Sequence, residues 1–219
     1  MEPAPANGAP PYPLSWHTLD VVRKARASDR TTVVETLTKA FARDPIIRFQ
    51  FQDDTTYPAR AAAFFGHYFD VRIDGGEIFV FDDTGAALWS PPGGNRLGHE
   101  AVEDDWDRNV APALGREELA RYESFKKVLD AMTPQEPHWY LGLLGTRPER
   151  QHTGIARGLL EPMLARADAE GLPVFLETGA AGNVAFYGRF GFEQIAEDEV
   201  PDGPTVWGML RRAPRETAP

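Results

Sequence analysis

The sequence predicts an α/β fold in which helices flank a mixed central β-sheet. Two observations support this. Segments with the apolar pattern of strands alternate along the chain with segments whose apolar residues recur every three or four positions. The predicted order is a strand, two helices, two strands, helix, strand, helix, strand, helix and two final strands. In addition, one stretch over 139–160 runs from an apolar strand through a polar turn into a helix.

Capping and turn signals divide the first half of the chain. Ser28 and Asp29 form a helix-capping pair, Asp44-Pro45 ends a helix, and the residues over 82–85 suit a hairpin turn. The predicted elements are a strand over 18–25, a helix whose apolar face runs to Phe41, an apolar segment over 46–51, a helix over 57–73, and hairpin strands over 77–81 and 86–89.

The second half alternates helices with strands. Pro162 falls inside one helix and removes the donor for the Gly158 carbonyl, so we expect that helix to bend. The predicted elements are a charged helical stretch over 97–130, an apolar strand over 139–145, the helix that follows Ala156, a buried strand over 173–178, a short helix over 183–190, a strand from Gly191, and a last strand over 205–210.

Composition restricts the class of protein. The 219 residues suit one domain, predicted over 16–212, with a disordered N-terminal tail over 1–15 and a C-terminal tail over 213–219. The chain has no cysteine, which excludes disulfides and thiolate metal sites. A net charge of −10 argues against nucleic-acid binding, and the sequence has neither a signal-peptide pattern nor a membrane-spanning apolar run. We expect a cytoplasmic protein without a membrane partner, either monomer or homodimer.

The turn that follows the strand over 139–145 has the features of an anion site. Gly154 and Ala156 are small residues at the start of a helix, where backbone N–H groups lack intrahelical partners and meet the positive end of the helix dipole. A phosphate is a common ligand there. The pattern Gln151-x-x-Gly154-x-Ala156 lacks the Lys-Ser/Thr of a P-loop and the three glycines of a dinucleotide loop. An ordinary strand–turn–helix connection is the alternative interpretation.

Together with this pattern, five segments resemble the GCN5-related N-acetyltransferase (GNAT) superfamily, and within it the puromycin N-acetyltransferase type. They read KAFARDP, EPHWYLGLLGTRPERQHTG, PVFLET, NVAFYGRFGF and VPDGPTVWGM. The resemblance covers roughly 18–212. It implies the GNAT fold, whose central strand splays from its neighbour, and acetyl-CoA as the cosubstrate. No metal is implied, and no His or carboxylate cluster has metal-ligand spacing.

The resemblance also implies which residues bind coenzyme A. The end of the central strand would pair with the pantetheine arm, the following turn would hold the pyrophosphate through backbone N–H groups, and the short helix would contact the pantetheine near the thiol. Gly142 and Gly145 suit this strand, because glycine in a strand often marks a bulge or a close approach. The predicted cofactor-binding residues are Leu143, Leu144, Gly145, Thr146, Arg150, Gln151, His152, Thr153, Gly154, Ile155, Ala156, Asn183, Phe186 and Tyr187.

Two residues are the predicted catalytic groups. By the same resemblance, Tyr187 protonates the departing thiolate, with a core aromatic as the alternative. Glu177, at the end of a strand beside the splay, is the best candidate for the base, directly or through water, although it could instead cap the next turn. His138 is a weaker candidate for the base. Three aspartates fall in the region that lines the acceptor pocket in this family: Asp44, Asp53 and Asp54.

The expected function is acetyl-CoA-dependent N-acetylation of a primary amine of a small molecule, by direct attack in a ternary complex. The leading candidate for the acceptor is an antibiotic such as a puromycin-like aminonucleoside. The alternatives are acetylation of a peptide N-terminus or a lysine, and a non-catalytic module that binds coenzyme A or sequesters an amine. Acceptor specificity would depend on 44–54, the helix from Tyr57 and the loop after Trp89, none of which carries a readable code. An acyl group larger than acetyl also stays open.

Overall fold

The computed structural model describes residues 22–94 and 96–214, which form a seven-stranded mixed sheet with helices on both faces. The strands are β1 (Val22–Lys24), β2 (Glu77–Phe81), β3 (Gly85–Ser90), β4 (Trp139–Thr146), β5 (Val174–Thr178), β6 (Glu193–Glu199) and β7 (Thr205–Arg211). The helices are α1 (Arg30–Ala40), α2 (Pro45–Gln50), α3 (Tyr57–Gly75), α4 (His99–Asn109), α5 (Arg116–Met132), α6 (Ile155–Glu170) and α7 (Ala181–Gly188).

The strand order in the sheet is β1-β2-β3-β4-β5-β7-β6. Neighbouring strands pair antiparallel except β4 and β5, which are parallel and are connected by the crossover helix α6. The sheet is therefore two antiparallel halves that meet at β4 and β5.

These two central strands diverge soon after they meet. They pair only at Trp139↔Val174 and Tyr140↔Phe175, although β4 continues to Thr146. Beyond this point β4 bonds only to β3, and the register between these strands shifts at Gly142, which is the extra residue of a β-bulge. A bulge bends its strand, so the divergence begins where the bulge lies. This confirms the predicted mixed sheet with a splayed central strand.

Alternating residues of the sheet contribute to cores on its two faces. On one face, Leu88 packs with residues of α1 and α3, and Phe175 packs with residues of α5. On the other face, Trp89 and Leu176 pack against α6. Helices α1, α3 and α5 therefore lie on one face of the sheet, and α6 lies on the other.

Most predicted elements are present, with some differences. The expected single helical stretch over 97–130 is two helices, because the chain breaks between them at Pro112 and Gly115. The apolar segment over 46–51 is largely the short helix α2, capped by Asp44. The short helix begins at Ala181, slightly before the expected 183. Pro162 lies inside α6 as expected.

The chain ends fall largely outside the described residues. The tail predicted over 1–15 lies outside the described residues, as does the start of the strand predicted over 18–25. The described part of that strand is Val22–Lys24. Of the tail predicted over 213–219, the described part is 213–214. Within 22–94 and 96–214, no helix is long and apolar enough to cross a membrane.

Candidate active site

The divergence of β4 and β5 opens a cavity of about 90 Å³. Its walls come from β4 over 140–144, from the end of β5 over 177–179, and from Asn183 and Tyr187 of α7. The opposite wall comes from α2, α3 and α5. Chain segments distant in sequence therefore meet at the place where the sheet opens.

The turn before α6 presents unpaired backbone donors. Gly154 is the N-cap of the helix and has φ 90°, a left-handed conformation that favours glycine. The first helical hydrogen bond is donated by Gly158 to the Gly154 carbonyl, at 3.1 Å. Among the described residues, the N–H groups over 152–157 donate to no protein acceptor. These donors at a helix N-terminus fit a pyrophosphate.

Side chains of this turn stabilise its shape. The Thr153 hydroxyl donates to the Arg150 carbonyl at 2.7 Å, and the Gln151 amide donates to the Thr146 carbonyl at 3.4 Å. His152 has φ 61°. Ile155 is buried in the core, so only its backbone is available to a ligand. Thr153 and Gln151 thus use their side chains within the turn, while its backbone N–H groups stay free for a ligand.

The second half of β4 has a free edge on the side of β5. Its residues Leu143–Thr146 have no strand partner there in the described part of the chain, so those of their N–H and C=O groups that point away from β3 can pair with an extended ligand. Gly145 has a further reason to be glycine. A Cβ at this position would lie 2.8 Å from Leu37 of α1. The close approach is therefore between the strand and α1.

The short helix α7 brings two predicted residues to the cavity. Asn183 donates through its Nδ2 to the Thr178 hydroxyl at 3.0 Å, which fixes the amide and leaves its Oδ1 as an acceptor. Tyr187 lines the cavity and is 7% exposed. Burial raises the pKa of Tyr187 above its ordinary value, with Glu177 adding to the effect, so the phenol keeps its proton at neutral pH. Phe186 contacts the Tyr187 ring edge-on and lies outside the lining.

Glu177 is the carboxylate at the centre of the cavity. The Tyr140 hydroxyl donates to its Oε1 at 2.9 Å, while its Oε2 is shielded from solvent and has no hydrogen-bond partner. Burial is the main cause that raises the pKa of Glu177 from 4.5 to about 7, against the opposing effect of the Tyr140 bond. A carboxyl group with this pKa can exchange a proton near neutrality.

The other candidate residues divide by location. Asp44 lines the cavity, but its carboxylate also caps α2 by accepting from the N–H groups of Ile46 and Ile47, each at 3.0 Å. Burial raises the pKa of Asp44. Asp53 and Asp54 are exposed and lie outside the lining. The His138 Nδ1 is 2.7 Å from the Glu136 carbonyl, and the ring does not line the described cavity.

Several cavity residues were not singled out in the sequence, although Gln50 lies within the 44–54 stretch that was expected to affect acceptor specificity. Tyr140 holds the candidate base, and Gln50, Phe125 and Leu129 complete the walls. The alternation of side chains along the strands could have indicated that Tyr140 lies near Glu177. Tyr140 pairs with Phe175, and Glu177 lies two residues after Phe175 on the same face of the sheet. Reading that signal requires the strand register. The loop after Trp89, expected to affect specificity, contributes no described residue to this cavity.

Side chains that could bind a metal ion do not cluster among the described residues. No group of three or more His, Asp or Glu side chains there could hold a metal ion. The titratable groups of the cavity are the carboxylates Asp44 and Glu177 and the phenols Tyr68, Tyr140 and Tyr187. These are proton-transfer and hydrogen-bonding groups.

Comparisons with known proteins point to an acetyltransferase. A sequence model described as the Acetyltransferase (GNAT) family matches residues 87–192, slightly under half of the chain. An uncharacterized N-acetyltransferase of Schizosaccharomyces pombe, C550.08, is 27% identical in an alignment 187 positions long that covers 78% of this chain and 73% of that protein.

Solved structures share the architecture. A structure described as histone acetyltransferase HPA2 and related acetyltransferase, from Corynebacterium glutamicum, has a TM-score of 0.65 and 25% identity, covering 90% of this chain and 98% of that one. Arylalkylamine N-acetyltransferase 2 of Aedes aegypti has a TM-score of 0.57 at 14% identity, covering 88% and 98%. The second likeness concerns the fold alone.

The splayed sheet is the GNAT fold, and the family match and the relatives support the assignment of this chain to the GNAT superfamily of acetyltransferases. The chain is accordingly an acyltransferase, and acetyl-CoA is the acyl donor that this family generally uses.

Proposed function

We propose that the chain transfers an acetyl group from acetyl-CoA to a primary amine of a small molecule, by direct attack in a ternary complex. One observation carries the proposal. A carboxylate and a phenol, Glu177 and Tyr187, line the same cavity at the place where β4 leaves β5. A proton acceptor and a proton donor are the two groups that this transfer needs.

Acetyl-CoA would bind along the splay. The free donors over 152–157 suit the pyrophosphate, and the unpaired edge of Leu143–Thr146 suits the pantetheine amides. Asn183 offers an acceptor to the same arm because Thr178 holds its amide. Arg150 and Gln151 are exposed at the turn and Phe186 packs behind Tyr187, so these three support the binding surface from its edges.

Acetyl-CoA supplies the acetyl group as an activated thioester. Glu177 accepts a proton from the ammonium form of the acceptor, directly or through water, and the amine nitrogen then forms a bond to the acetyl carbon. The carbon–sulfur bond breaks, and Tyr187 donates its proton to the departing thiolate. The nitrogen then releases its second proton to the Tyr187 phenolate, which restores the phenol, and the proton held by Glu177 leaves to solvent. The raised pKa of Tyr187 keeps that proton in place, and the pKa of about 7 lets Glu177 accept one near neutral pH.

The acceptor is a small molecule in this proposal. The cavity has a modest volume and is closed on one side by α2, α3 and α5, which suits a compact amine. Two carboxylates in the lining, Asp44 and Glu177, favour a cationic group. An antibiotic-like aminonucleoside is the specific candidate suggested by the sequence segments of the puromycin N-acetyltransferase type.

An acceptor screen tests this function. The purified chain is incubated with acetyl-CoA and a panel of amines, and free thiol is measured. Because the chain has no cysteine, every thiol detected belongs to coenzyme A. We expect thiol release that requires an amine and that yields the N-acetylated product. Binding of acetyl-CoA without release for any amine would contradict catalysis and favour a module that only binds coenzyme A.

A further inference from the structure

One buried side chain of the cavity has no function in the proposed transfer. Gln50 lies at the C-terminal end of α2 and lines the cavity, and its relative exposure is 0%. Among the described residues, neither its Nε2 nor its Oε1 has a hydrogen-bond partner. An amide offers two donor hydrogens and an accepting oxygen, and buried polar atoms in folded proteins are nearly always paired. A ligand group that donates and accepts would satisfy both atoms.

Packing holds Gln50 in place. The Arg121 Nε of α5 donates to the Gln50 carbonyl at 3.3 Å, which ties the end of α2 to α5. Phe51, the next residue, is buried in the core. The side chain therefore projects from a backbone anchored on both sides. Such an anchor suits a residue that recognises one chemical group.

Aromatic and aliphatic side chains share the walls of the cavity that Gln50 lines. The rings that line it are Phe41, which directly follows α1, Phe64 and Tyr68 of α3, Phe125 of α5, Tyr140 of β4 and Tyr187 of α7. Phe64 contacts Tyr68 with ring centroids 4.7 Å apart. Aromatic walls bind a flat apolar body well, through area and ring–ring contacts. This part of the cavity suits the body of the acceptor, with its amine directed to Glu177.

The charges of the lining exclude one class of acceptor. Asp44 and Glu177 are acidic, and no Lys, Arg or His side chain belongs to the described lining. Arg72 is buried behind this lining, where its guanidinium stacks on the Tyr68 ring at 4.7 Å. A carboxylate or phosphate on the acceptor would still lie beside the two lining carboxylates and lose its hydration. The group that meets Gln50 should therefore be neutral and carry both a donor and an acceptor, as a carboxamide does.

We propose that the acceptor is a primary amine with an aromatic body and a neutral amide-like group, and that Gln50 is the specificity-determining residue that binds this group. This inference rests on the proposed N-acetyltransferase function. It adds the chemical class of the acceptor and assigns a residue to its recognition.

Three probe amines and one substitution test the proposal. The probes share a phenyl ring and differ at one position: phenylalaninamide carries a carboxamide, 2-phenylethylamine carries hydrogen, and phenylalanine carries a carboxylate. Gln50→Met replaces the amide with an apolar chain of similar length. Gln52→Met, at an exposed position two residues away that does not line the cavity, is the matched control.

The measured quantity is the ratio of kcat/KM for phenylalaninamide to kcat/KM for 2-phenylethylamine. The carboxamide also lowers the pKa of the adjacent amine, so the wild-type ratio alone would mix two effects. The lower pKa of the amine is a property of the substrate and is the same for every variant. It therefore cancels when the ratio of a variant is divided by the ratio of the wild type. We expect Gln50→Met to lower the ratio on the order of 10²-fold, because a buried site built for a hydrogen-bonding group discriminates strongly. Gln52→Met should leave it unchanged, and phenylalanine should be the poorest substrate of the wild type.

An unchanged ratio in Gln50→Met would overturn the assignment of Gln50. Turnover of other amines in the screen, with none of the three probes accepted, would overturn the acceptor class while leaving the acetyltransferase function intact. Absence of turnover with every amine would instead refute the proposed function. Gln50→Met should unfold at or above the wild-type temperature, since it removes two unpaired buried polar atoms. If it fails to fold, Gln50→Leu gives the same comparison, and failure of both would assign Gln50 to folding alone.

Discussion

Replacing Glu177 by glutamine separates the role of its charge from the role of its shape. Glutamine has nearly the same volume, and its carbonyl can still accept the hydrogen bond that Tyr140 donates at 2.9 Å. It cannot accept a proton from the substrate. If Glu177 is the base, kcat/KM should fall by about 10²-fold or more. The wild-type pH profile should show an acidic limb near pH 7, where the carboxyl group loses its proton, and Glu177→Gln should lack it.

The same substitution has an effect on stability whose sign follows from the pKa. Burial raises the pKa of Glu177 from 4.5 to about 7, so between these values the folded state binds more protons than the unfolded state. The free energy of unfolding of the wild type therefore falls as the pH rises through this window. At 1.36 kcal/mol per pKa unit, the loss is at most about 3 kcal/mol. Glutamine does not titrate and avoids this loss.

Urea unfolding of wild type and variant at pH 4 and pH 8 measures this effect. Relative to the wild type, Glu177→Gln should gain up to about 3 kcal/mol between these pH values. Asp44 and Arg72 also act on the charge of Glu177, and both stay in place in the variant. Glu193→Gln, at an exposed position of β6, is the control and should show no such gain. A pH-independent difference would refute burial as the cause, and a normal rate with an unchanged limb would remove Glu177 as the base.

Two further substitutions test the coenzyme A site and the acid. Gly154→Asp should weaken acetyl-CoA binding by one to two orders of magnitude in calorimetry, at about 1.4 kcal/mol per factor of ten. In Gly154→Asn the new residue must adopt the same left-handed backbone conformation but carries no charge, so the loss of acetyl-CoA affinity should be smaller. Equal losses of affinity in the two variants would contradict the pyrophosphate assignment. Tyr187→Phe should lower kcat by about 10²- to 10⁴-fold with nearly unchanged acetyl-CoA affinity. A core role alone would cost at most about 1–2 kcal/mol of stability and little rate.

The sequence predicted the parts of the site that depend on local structure. The turn around Gly154 follows from a strand, a breaker and small residues at a helix start, all within one short stretch. Glu177 was a candidate because it ends a strand beside the expected splay. The turn is encoded by neighbours in the sequence, so periodicity and turn chemistry are sufficient to find it. The splay beside which Glu177 lies was an expectation from the resemblance to the GNAT superfamily.

The acceptor side of the cavity depends on packing between distant segments. Gln50 faces the same space as Phe125 of α5 only because the fold brings α2 and α5 together, 75 residues apart in the sequence. The pairing of Tyr140 with Glu177 requires the register of two parallel strands separated by α6. The sequence prediction missed the break between α4 and α5 at Pro112, because the apolar spacing of 119–129 suggested one continuous helix.

Direct transfer is the central claim, and the destination of the acetyl group tests it. The chain is incubated with acetyl-CoA that carries an isotope label in its acetyl group, first alone and then with the best amine from the screen, and label and thiol are quantified by mass spectrometry. The account predicts no label on the protein before the amine is added, and afterwards one labelled N-acetylated amine for each thiol released. Label retained on the protein, or thiol released without labelled product, would contradict it.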